Sequence, residues 1–150
     1  MVAHQVVRTV RFPQGSKPHM LRVSPDGREV WVQTTATDTN VVLDADDLSV
    51  LATEPTGKTP VTNAWTPDNR YSFVTNSGDT YVSIFDARTY REIERLPVGP
   101  GARNVGFTRD GGTAFISVTD ANSVAVVDLG RLEVVGQVPV GTEPQGLIIR

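Results

Sequence analysis

Residues 55–99 read PTGKTPVTNAWTPDNRYSFVTNSGDTYVSIFDARTYREIERLPVG, which runs from one proline-x-glycine step to the next. The step occurs four times at intervals of 42 residues: Pro13/Gly15, Pro55/Gly57, Pro97/Gly99 and Pro139/Gly141. A period of roughly 40 to 45 residues built from short strands is typical of a β-propeller blade, which buries its faces only by stacking on copies of itself. The period therefore predicts an all-β fold of the propeller type.

Turn residues follow the same period. A hydroxyl residue opens a turn in each copy: Ser24-Pro25-Asp26-Gly27, Thr66-Pro67-Asp68-Asn69 and Thr108-Arg109-Asp110-Gly111. Another aspartate closes an apolar run in each copy, at Asp44, Asp86 and Asp128. Side chains that recur in every blade are more economically turn formers than a catalytic or metal-binding cluster. We therefore predict structural turns at Asp26, Asp68, Asp110, Asp44, Asp86 and Asp128.

Each copy contains four short apolar runs separated by turn residues, which is a strand pattern. In the middle copy they cover residues 60–65, 71–75, 81–85 and 91–98. The last run mixes charges and ends in proline, a composition that discourages pairing at an exposed sheet edge. Residues 87–96 alone also fit an amphipathic helix, but the β-branched counterpart at 134–138 favours a strand. The fourth run is therefore predicted to be the outermost strand.

Counting these runs gives fourteen strands, or about three and a half four-stranded blades. We expect a single partial β-propeller over residues 1–150, with a partial blade at 1–23 and successive repeats at 24–65, 66–107 and 108–149. The terminal strands are expected at 5–12 and 144–149. We expect the chain to be part of a larger, seven-bladed ring; a self-associating half-ring is the alternative.

Composition excludes several classes of function. The formal charge is −3, and the 14 Lys and Arg residues are scattered, so we expect no nucleic-acid partner. The absence of cysteine excludes disulfides, thiol catalysis and Cys-ligated metal. No apolar run approaches the ~18 residues of a membrane span, and residues 1–11 do not resemble a signal peptide.

The repeat resembles a known family. Phe73-Val74-Thr75-Asn76 is similar to the Tyr-Val-Thr-Asn tetrapeptide of the YVTN β-propeller repeats, and the Pro-x-Gly, Ser/Thr-Pro-Asp-Gly and Val-x-Val-x-Asp elements around it are also similar. The resemblance implies a seven-bladed ring whose first strands line a central channel. Relatives include lactonase-like enzymes and the haem-binding propeller of nitrite reductases. The resemblance also implies a periplasmic or extracellular location, and a cytoplasmic location is the alternative.

The residue after the proline that opens a first strand, replaced by alanine at Ala102, is expected at the channel mouth, by analogy with that family. These residues are His19, Val61, Arg103 and Gln145. We predict a ligand site formed by His19, Arg103 and Gln145, which suits an anion or a metal-bound group. The alternative for His19 is a structural hydrogen bond or simple exposure to solvent. We predict no catalytic residue and no metal site.

Carboxylate and amide side chains also collect in the loop between the second and third runs of each copy. They are Asp38 and Asn40, Asn76 and Asp79, and Asp120 and Asn122. Such oxygens suit a divalent cation, but these residue types are also ordinary loop formers.

The functional hypothesis is a non-catalytic binding or scaffold module that contacts a protein or a surface ligand. The residues alone predict no cofactor. The alternative is an enzyme-like propeller, lactonase-like or redox-associated, with a divalent metal or haem at the channel. Self-association through open blade faces is also expected, because stacked repeats normally cover such faces.

Overall fold

The computed structural model describes residues 5–149 and confirms the all-β architecture. Three four-stranded antiparallel sheets, here called blades 1, 2 and 3, each pair their strands in chain order. Blade 1 contains β1 (Pro18–Val23), β2 (Glu29–Thr34), β3 (Thr39–Asp44) and β4 (Val50–Pro55); blade 2 contains β5 (Pro60–Trp65), β6 (Tyr71–Asn76), β7 (Tyr81–Asp86) and β8 (Glu92–Pro97); blade 3 contains β9 (Ala102–Phe107), β10 (Thr113–Val118), β11 (Ser123–Asp128) and β12 (Glu133–Pro139). Within the described chain, no helix is long and apolar enough to cross a membrane.

The first strand of each blade lies at the inner end of its sheet. β1 contacts β5, and β5 contacts β9, so the three first strands lie side by side. The fourth strands form the other edge of each sheet. β8 is mostly exposed, as predicted for an outer strand, and the structure has a strand where the helical alternative was considered.

Central strands bury both of their faces because successive side chains point to opposite sides of a sheet. In β6, Phe73 packs in the core shared with blade 3, whereas its neighbour Val74 packs against Trp31 of blade 1. A strand between two stacked sheets is therefore apolar on both faces. This explains the nearly continuous apolar runs of the sequence.

Aromatic side chains dominate the interface between blades 1 and 2. Trp31 is fully buried, and its ring meets Trp65, Phe85 and Tyr90 edge-on, at centroid distances of 5.5, 6.2 and 6.0 Å. Glu29 joins them, because its carboxylate accepts hydrogen bonds from Trp31 Nε1 at 2.9 Å and from the Tyr90 hydroxyl at 2.6 Å. The interface thus combines aromatic packing with a hydrogen bond between blades.

The same interface contains a buried amide network. Gln33 Nε2 donates to Asn40 Oδ1 at 3.0 Å and to Asn63 Oδ1 at 3.2 Å. Asn63 Nδ2 in turn donates to Ser72 Oγ at 3.0 Å. All four residues are at most 1% exposed, so this polar cluster is entirely interior.

Blades 2 and 3 meet through a larger, apolar core. Phe73 and Phe107 pack edge-on with ring centroids 5.2 Å apart. The fully or nearly fully buried members are Phe73, Val82, Ile84, Leu96, Val98, Ala102, Val105, Ala114, Ile116, Val118, Ala125 and Val127. The two interfaces of the chain therefore differ in chemistry.

The prediction of terminal strands at 5–12 and 144–149 is wrong. Neither segment is a strand in the structure, which contains twelve strands among residues 5–149. A strand is defined by pairing, and neither segment has a neighbouring strand of its own blade to pair with. Val10 and Phe12 instead pack against Val32, Val41 and Leu43 of blade 1.

The C-terminal segment nevertheless takes the position of a next first strand. Ser117 Oγ donates to the Gln145 carbonyl at 3.1 Å, just as Thr75 Oγ1 donates to the Arg103 carbonyl at 3.1 Å one repeat earlier. Residues 5–149 therefore form a partial propeller of three complete blades, flanked by the segments 5–12 and 144–149, which pair with no strand of the described chain.

Candidate functional site

The starts of successive first strands converge on one cavity of about 340 Å³. Four residue pairs spaced by 42 line it: His19 and Met20, Val61 and Thr62, Arg103 and Asn104, Gln145 and Gly146. The structure thus brings together the three residues predicted for the ligand site. Thr62 and Asn104 also line the cavity and are not predicted from the sequence, although the same spacing locates them. We call this cavity the mouth.

Hydrogen bonds between blades fix the backbone of the mouth. The carbonyl groups of residues 61, 103 and 145 each accept one, from His19 Nδ1 at 3.2 Å, Thr75 Oγ1 at 3.1 Å and Ser117 Oγ at 3.1 Å. Two of these donors are hydroxyls at the same position of the repeat. The residue at that position in blade 1 is Gln33. Between blades 1 and 2 the hydrogen bond therefore comes from His19 instead.

The contact to Val61 defines the tautomer of His19. A carbonyl oxygen can only accept, so Nδ1 must carry the proton. In a neutral imidazole this leaves Nε2 with a free lone pair. The structural hydrogen bond considered for His19 is therefore present, through Nδ1. Because His19 is also exposed, its Nε2 is available to a ligand.

Arg103 supplies the positive charge of the mouth. Its Nε is shielded from solvent and has no hydrogen-bond partner among residues 5–149. The residues that line the mouth include no Asp or Glu. A buried N–H without an acceptor is costly, and a guanidinium pairs best with a carboxylate or phosphate. The mouth is therefore suited to an anionic group.

Gln145 stands on the C-terminal segment at the edge of the mouth. Its side chain is exposed, whereas its backbone is held by Ser117. Thr119 Oγ1 also donates to the carbonyl of Pro144 at 2.7 Å. The segment therefore presents the Gln145 amide from a fixed backbone.

The first set of repeated aspartates lies at the opposite end of the first strands. In each turn, Oδ1 accepts a hydroxyl and a backbone N–H. The hydroxyl distances are 2.7 Å from Ser24 to Asp26, 2.6 Å from Thr66 to Asp68 and 2.6 Å from Thr108 to Asp110. These hydroxyl bonds lower the pKa of all three carboxyl groups.

The second set of repeated aspartates also binds its own turns. Asp44 accepts the N–H groups of Asp46 and Asp47, and Asp128 accepts that of Arg131. Asp86 accepts the N–H groups of residues 88 and 89, and the bond from residue 89 lowers its pKa.

Two further clefts, of about 360 and 400 Å³, lie beside these turns. Seven residues that line one cleft have a counterpart 42 residues later in the lining of the other, for example Asp26 with Asp68 and Tyr90 with Leu132. A cleft repeated at each step between blades is a product of the stacking. The mouth, by contrast, has a different side chain at every repeat position.

Three of the six loop residues considered for a divalent cation accept backbone N–H groups. Asp38 Oδ1 accepts the Thr59 N–H at 2.7 Å, and Asp79 Oδ2 accepts the Lys58 N–H at 2.6 Å. Asn122 Oδ1 accepts the Glu143 N–H at 3.0 Å. In the part of the chain that the structure describes, no group of three or more His, Cys, Asp or Glu residues could hold a metal ion.

Stacked four-stranded sheets with their first strands around a common mouth define a segment of a β-propeller. The model of the cytochrome D1 heme domain matches residues 64–148, more than half of the 150 residues. The chain belongs to the cytochrome D1 heme domain family. A search of curated protein sequences gave no match.

Solved structures of known proteins share the fold. Hydrazine synthase of Kuenenia stuttgartiensis matches with a TM-score of 0.82 and 24% identity, over 95% of this chain and 41% of that chain. A protein assigned as a 6-phosphogluconolactonase, from Bacteroides fragilis, matches with 0.80 and 18%, over 90% and 42%. The dihydro-heme d1 dehydrogenase NirN, in complex with DHE, matches with 0.71 and 25%, over 85% and 30%. The chain thus spans less than half the length of these proteins.

Proposed function

We propose that the mouth binds a tetrapyrrole that carries carboxylate groups, of the haem d1 type. The observation that carries this proposal is the guanidinium of Arg103, whose Nε has no acceptor among residues 5–149 and which places a positive charge at a cavity whose lining includes no Asp or Glu. A carboxylate of the ligand would pair with the guanidinium and neutralise its charge. Membership of the cytochrome D1 heme domain family selects this ligand among anions.

His19 fits the same ligand. A histidine that binds a metal usually donates its other ring N–H to a carbonyl or carboxylate, as Nδ1 of His19 does to Val61. Nε2 would then be free to bind the haem iron. When bound, haem iron supplies ligand binding and electron transfer. At about 340 Å³ the mouth lies at the small end of ligand sites, so part of the macrocycle would extend beyond it.

The residues of the mouth bind and orient, and we assign none of them to catalysis. Arg103 would hold a carboxylate, His19 the centre of the ring, and Gln145 and Asn104 would donate amide N–H groups to polar substituents. The repeated aspartates are engaged in turns at the other end of the strands. In this account the chain is a binding module, and any reaction depends on the bound group.

The proposal includes two finer assignments. The repeat is of the YVTN type, supported by Phe73-Val74-Thr75-Asn76, which forms most of β6. The location is periplasmic or extracellular, supported by the same resemblance. A protein or surface ligand as partner, and a lactonase-like activity, remain the rival functions.

An absorbance titration with haem tests the proposal. We expect a saturable shift of the main haem band with the unaltered chain, a changed band position in His19→Ala, and binding about 10- to 100-fold weaker in Arg103→Gln. An unsaturable haem spectrum, or a spectrum identical in His19→Ala, would refute the assignment. Lactone hydrolysis that is lost in Arg103→Gln would support the lactonase-like rival instead.

A further inference from the structure

Arg103 occupies a β-bulge at the start of β9. Its two neighbours pair with consecutive residues of β10, Ala102 with Val118 and Asn104 with Ser117, so Arg103 is the extra residue. Successive side chains of a regular strand point to opposite faces, yet Arg103 and Asn104 both line the mouth. Bulges redirect side chains in this way and are common next to functional sites. The bulge therefore explains how Arg103 reaches the mouth.

The other two first strands have a bulge at the same position of the repeat. In β1 the extra residue is His19. In β5, Val61 and Thr62 together lie opposite a single residue of β6, Thr75. Residues of three bulges thus line the mouth at intervals of 42 residues.

A buried hydroxyl lies opposite two of these bulges and binds their backbone. Ser117 Oγ accepts the N–H of Asn104 at 3.0 Å, and Thr75 Oγ1 accepts that of Thr62 at 3.4 Å. Ser117 and Thr75 are both fully buried. A bulge disrupts the ladder of backbone hydrogen bonds, and a buried N–H needs an acceptor. The two hydroxyls supply an acceptor where the ladder is interrupted.

The peptide group between Arg103 and Asn104 is held on both sides. Its N–H donates to Ser117 Oγ within blade 3, and its C=O accepts from Thr75 Oγ1 of blade 2 at 3.1 Å. The Thr62 carbonyl, 3.3 Å from the same hydroxyl, is the more distant acceptor for its one proton. Neither bond uses the Arg103 side chain, so both fix the point from which that side chain starts. Ser117 and Thr75 themselves do not line the mouth.

We propose that Thr75 and Ser117 are positioning residues for ligand binding, because their hydroxyls hold the bulge of β9 and thereby direct Arg103 towards the carboxylate of the ligand. This inference rests on the proposed function, since both residues act through Arg103. A side chain that is already held in place loses less freedom when it binds, and this strengthens binding. In blade 1 the equivalent residue is Gln33, so these are the two hydroxyls that flank Arg103.

Titrations with haem and with its dimethyl ester test the proposal. Ser117→Ala and Thr75→Val remove the hydroxyls, whereas Ser117→Thr and Thr75→Ser keep them, and each of these conservative residues occurs at the equivalent position of the other blade. We expect haem binding about 5- to 10-fold weaker without either hydroxyl, and within about 2-fold of the unaltered chain in the conservative variants. The ester, which lacks the carboxylates, should bind all of them equally. Ser123→Ala, which removes another buried hydroxyl of blade 3, is the control.

Two measurements separate positioning from a merely structural role. In the background of Arg103→Gln, removal of either hydroxyl should change haem binding less than about 2-fold, because the positioning residues act through Arg103. In the ligand-free chain, the shielded Arg103 Nε–H should exchange with solvent about 10-fold faster in Ser117→Ala and in Thr75→Val. The backbone N–H of Ile116, in the core of blade 3, reports global unfolding in the same spectra.

Equal weakening of haem and ester, or the same effect with and without Arg103, would overturn the proposal, because the hydroxyls would then support only the fold. Failure of the proposed function gives a different result, in which the unaltered chain binds neither compound saturably. The exchange of Arg103 Nε–H then decides whether the hydroxyls position the guanidinium. Exchange that is no faster in Ser117→Ala and Thr75→Val than in Ser123→Ala would refute the positioning role.

Discussion

Tyr90 joins blade 2 to blade 1, and its removal measures that link. In Tyr90→Phe the ring still meets Trp31 edge-on, while the 2.6 Å hydrogen bond to Glu29 is lost. The bond to Glu29, followed by burial, raises the pKa of Tyr90 from 10.0 to about 12, and the whole shift, about 2.7 kcal/mol, is an upper limit for the bond alone. Because the hydroxyl is partly open to solvent, we expect a cost of about 1 to 1.5 kcal/mol in the free energy of unfolding.

The same bond predicts a dependence on alkaline pH. The folded pKa of Tyr90 lies above the unfolded value, so its stabilisation is complete below pH 10 and is lost as the pH rises towards 12. Ionised Tyr90 would also repel the Glu29 carboxylate. The difference in unfolding free energy between the unaltered chain and Tyr90→Phe should therefore be constant below pH 10 and shrink above it.

Urea unfolding followed by circular dichroism provides the assay. Tyr71→Phe is the control, because the one hydrogen bond of the Tyr71 hydroxyl among residues 5–149 comes from the exposed Arg70 next to it, and we expect a change below about 0.5 kcal/mol. Glu29→Gln completes a double-mutant cycle with Tyr90→Phe. A Tyr90→Phe cost equal to that of Tyr71→Phe, or a coupling energy near zero, would refute the role of this bond between blades.

Three further predictions follow from positions with matched controls. Gly101→Ala should cost about 1 to 3 kcal/mol in thermal unfolding, because Gly101 has φ +79° and a Cβ there would lie 2.7 Å from Asp120 Cγ. Gly136→Ala is the control and should be near neutral, because a Cβ at Gly136 would have no atom within 4 Å. Equal costs for the two variants would contradict this prediction. Phe73→Ala should cost about 3 to 5 kcal/mol, and Phe115→Ala, at the equivalent but only half-buried position of blade 3, should cost at most half as much; the reverse order in urea unfolding would argue against the described packing. The hydroxyl of Thr66 lowers the pKa of Asp68, so the ionised Asp68 stabilises the fold above pH 3.8 and this contribution is lost as the pH falls below it. The urea midpoint should therefore drop less on acidification in Thr66→Ala than in the unaltered chain. An equal drop in the two proteins would contradict the role of the hydrogen bond in this turn.

The period of the sequence predicted most of the fold because it fixes both the strand number of a blade and the positions of its turns. The four runs of the middle copy correspond to β5–β8. The segments at 5–12 and 144–149 have the same apolar composition and yet are not strands. The composition of a segment indicates whether its residues suit a strand. A strand also needs a neighbouring strand to pair with, and the sequence of the segment does not show whether one is present.

The site could be located from the sequence but not characterised. Counting 42 residues from His19 reaches Val61, Arg103 and Gln145, and all four line the mouth. The missing acceptor of Arg103 Nε and the bond from His19 to Val61 depend on side-chain positions in three dimensions. A comparison of the repeats could have indicated the amide network, because Gln33 and Asn40 occupy the positions that Thr75 and Val82 occupy in the next copy.

The most direct test of the central claim asks whether Arg103 binds a carboxylate of the ligand. Dissociation constants would be measured for haem and for its dimethyl ester, with the unaltered chain, Arg103→Gln and the control Arg109→Gln, an exposed arginine in a turn at the other end of the strands. Esterification should weaken binding about 10- to 100-fold to the unaltered chain and to Arg109→Gln, but hardly at all to Arg103→Gln. An equal effect of esterification on all three proteins, or no binding of either compound, would contradict the account.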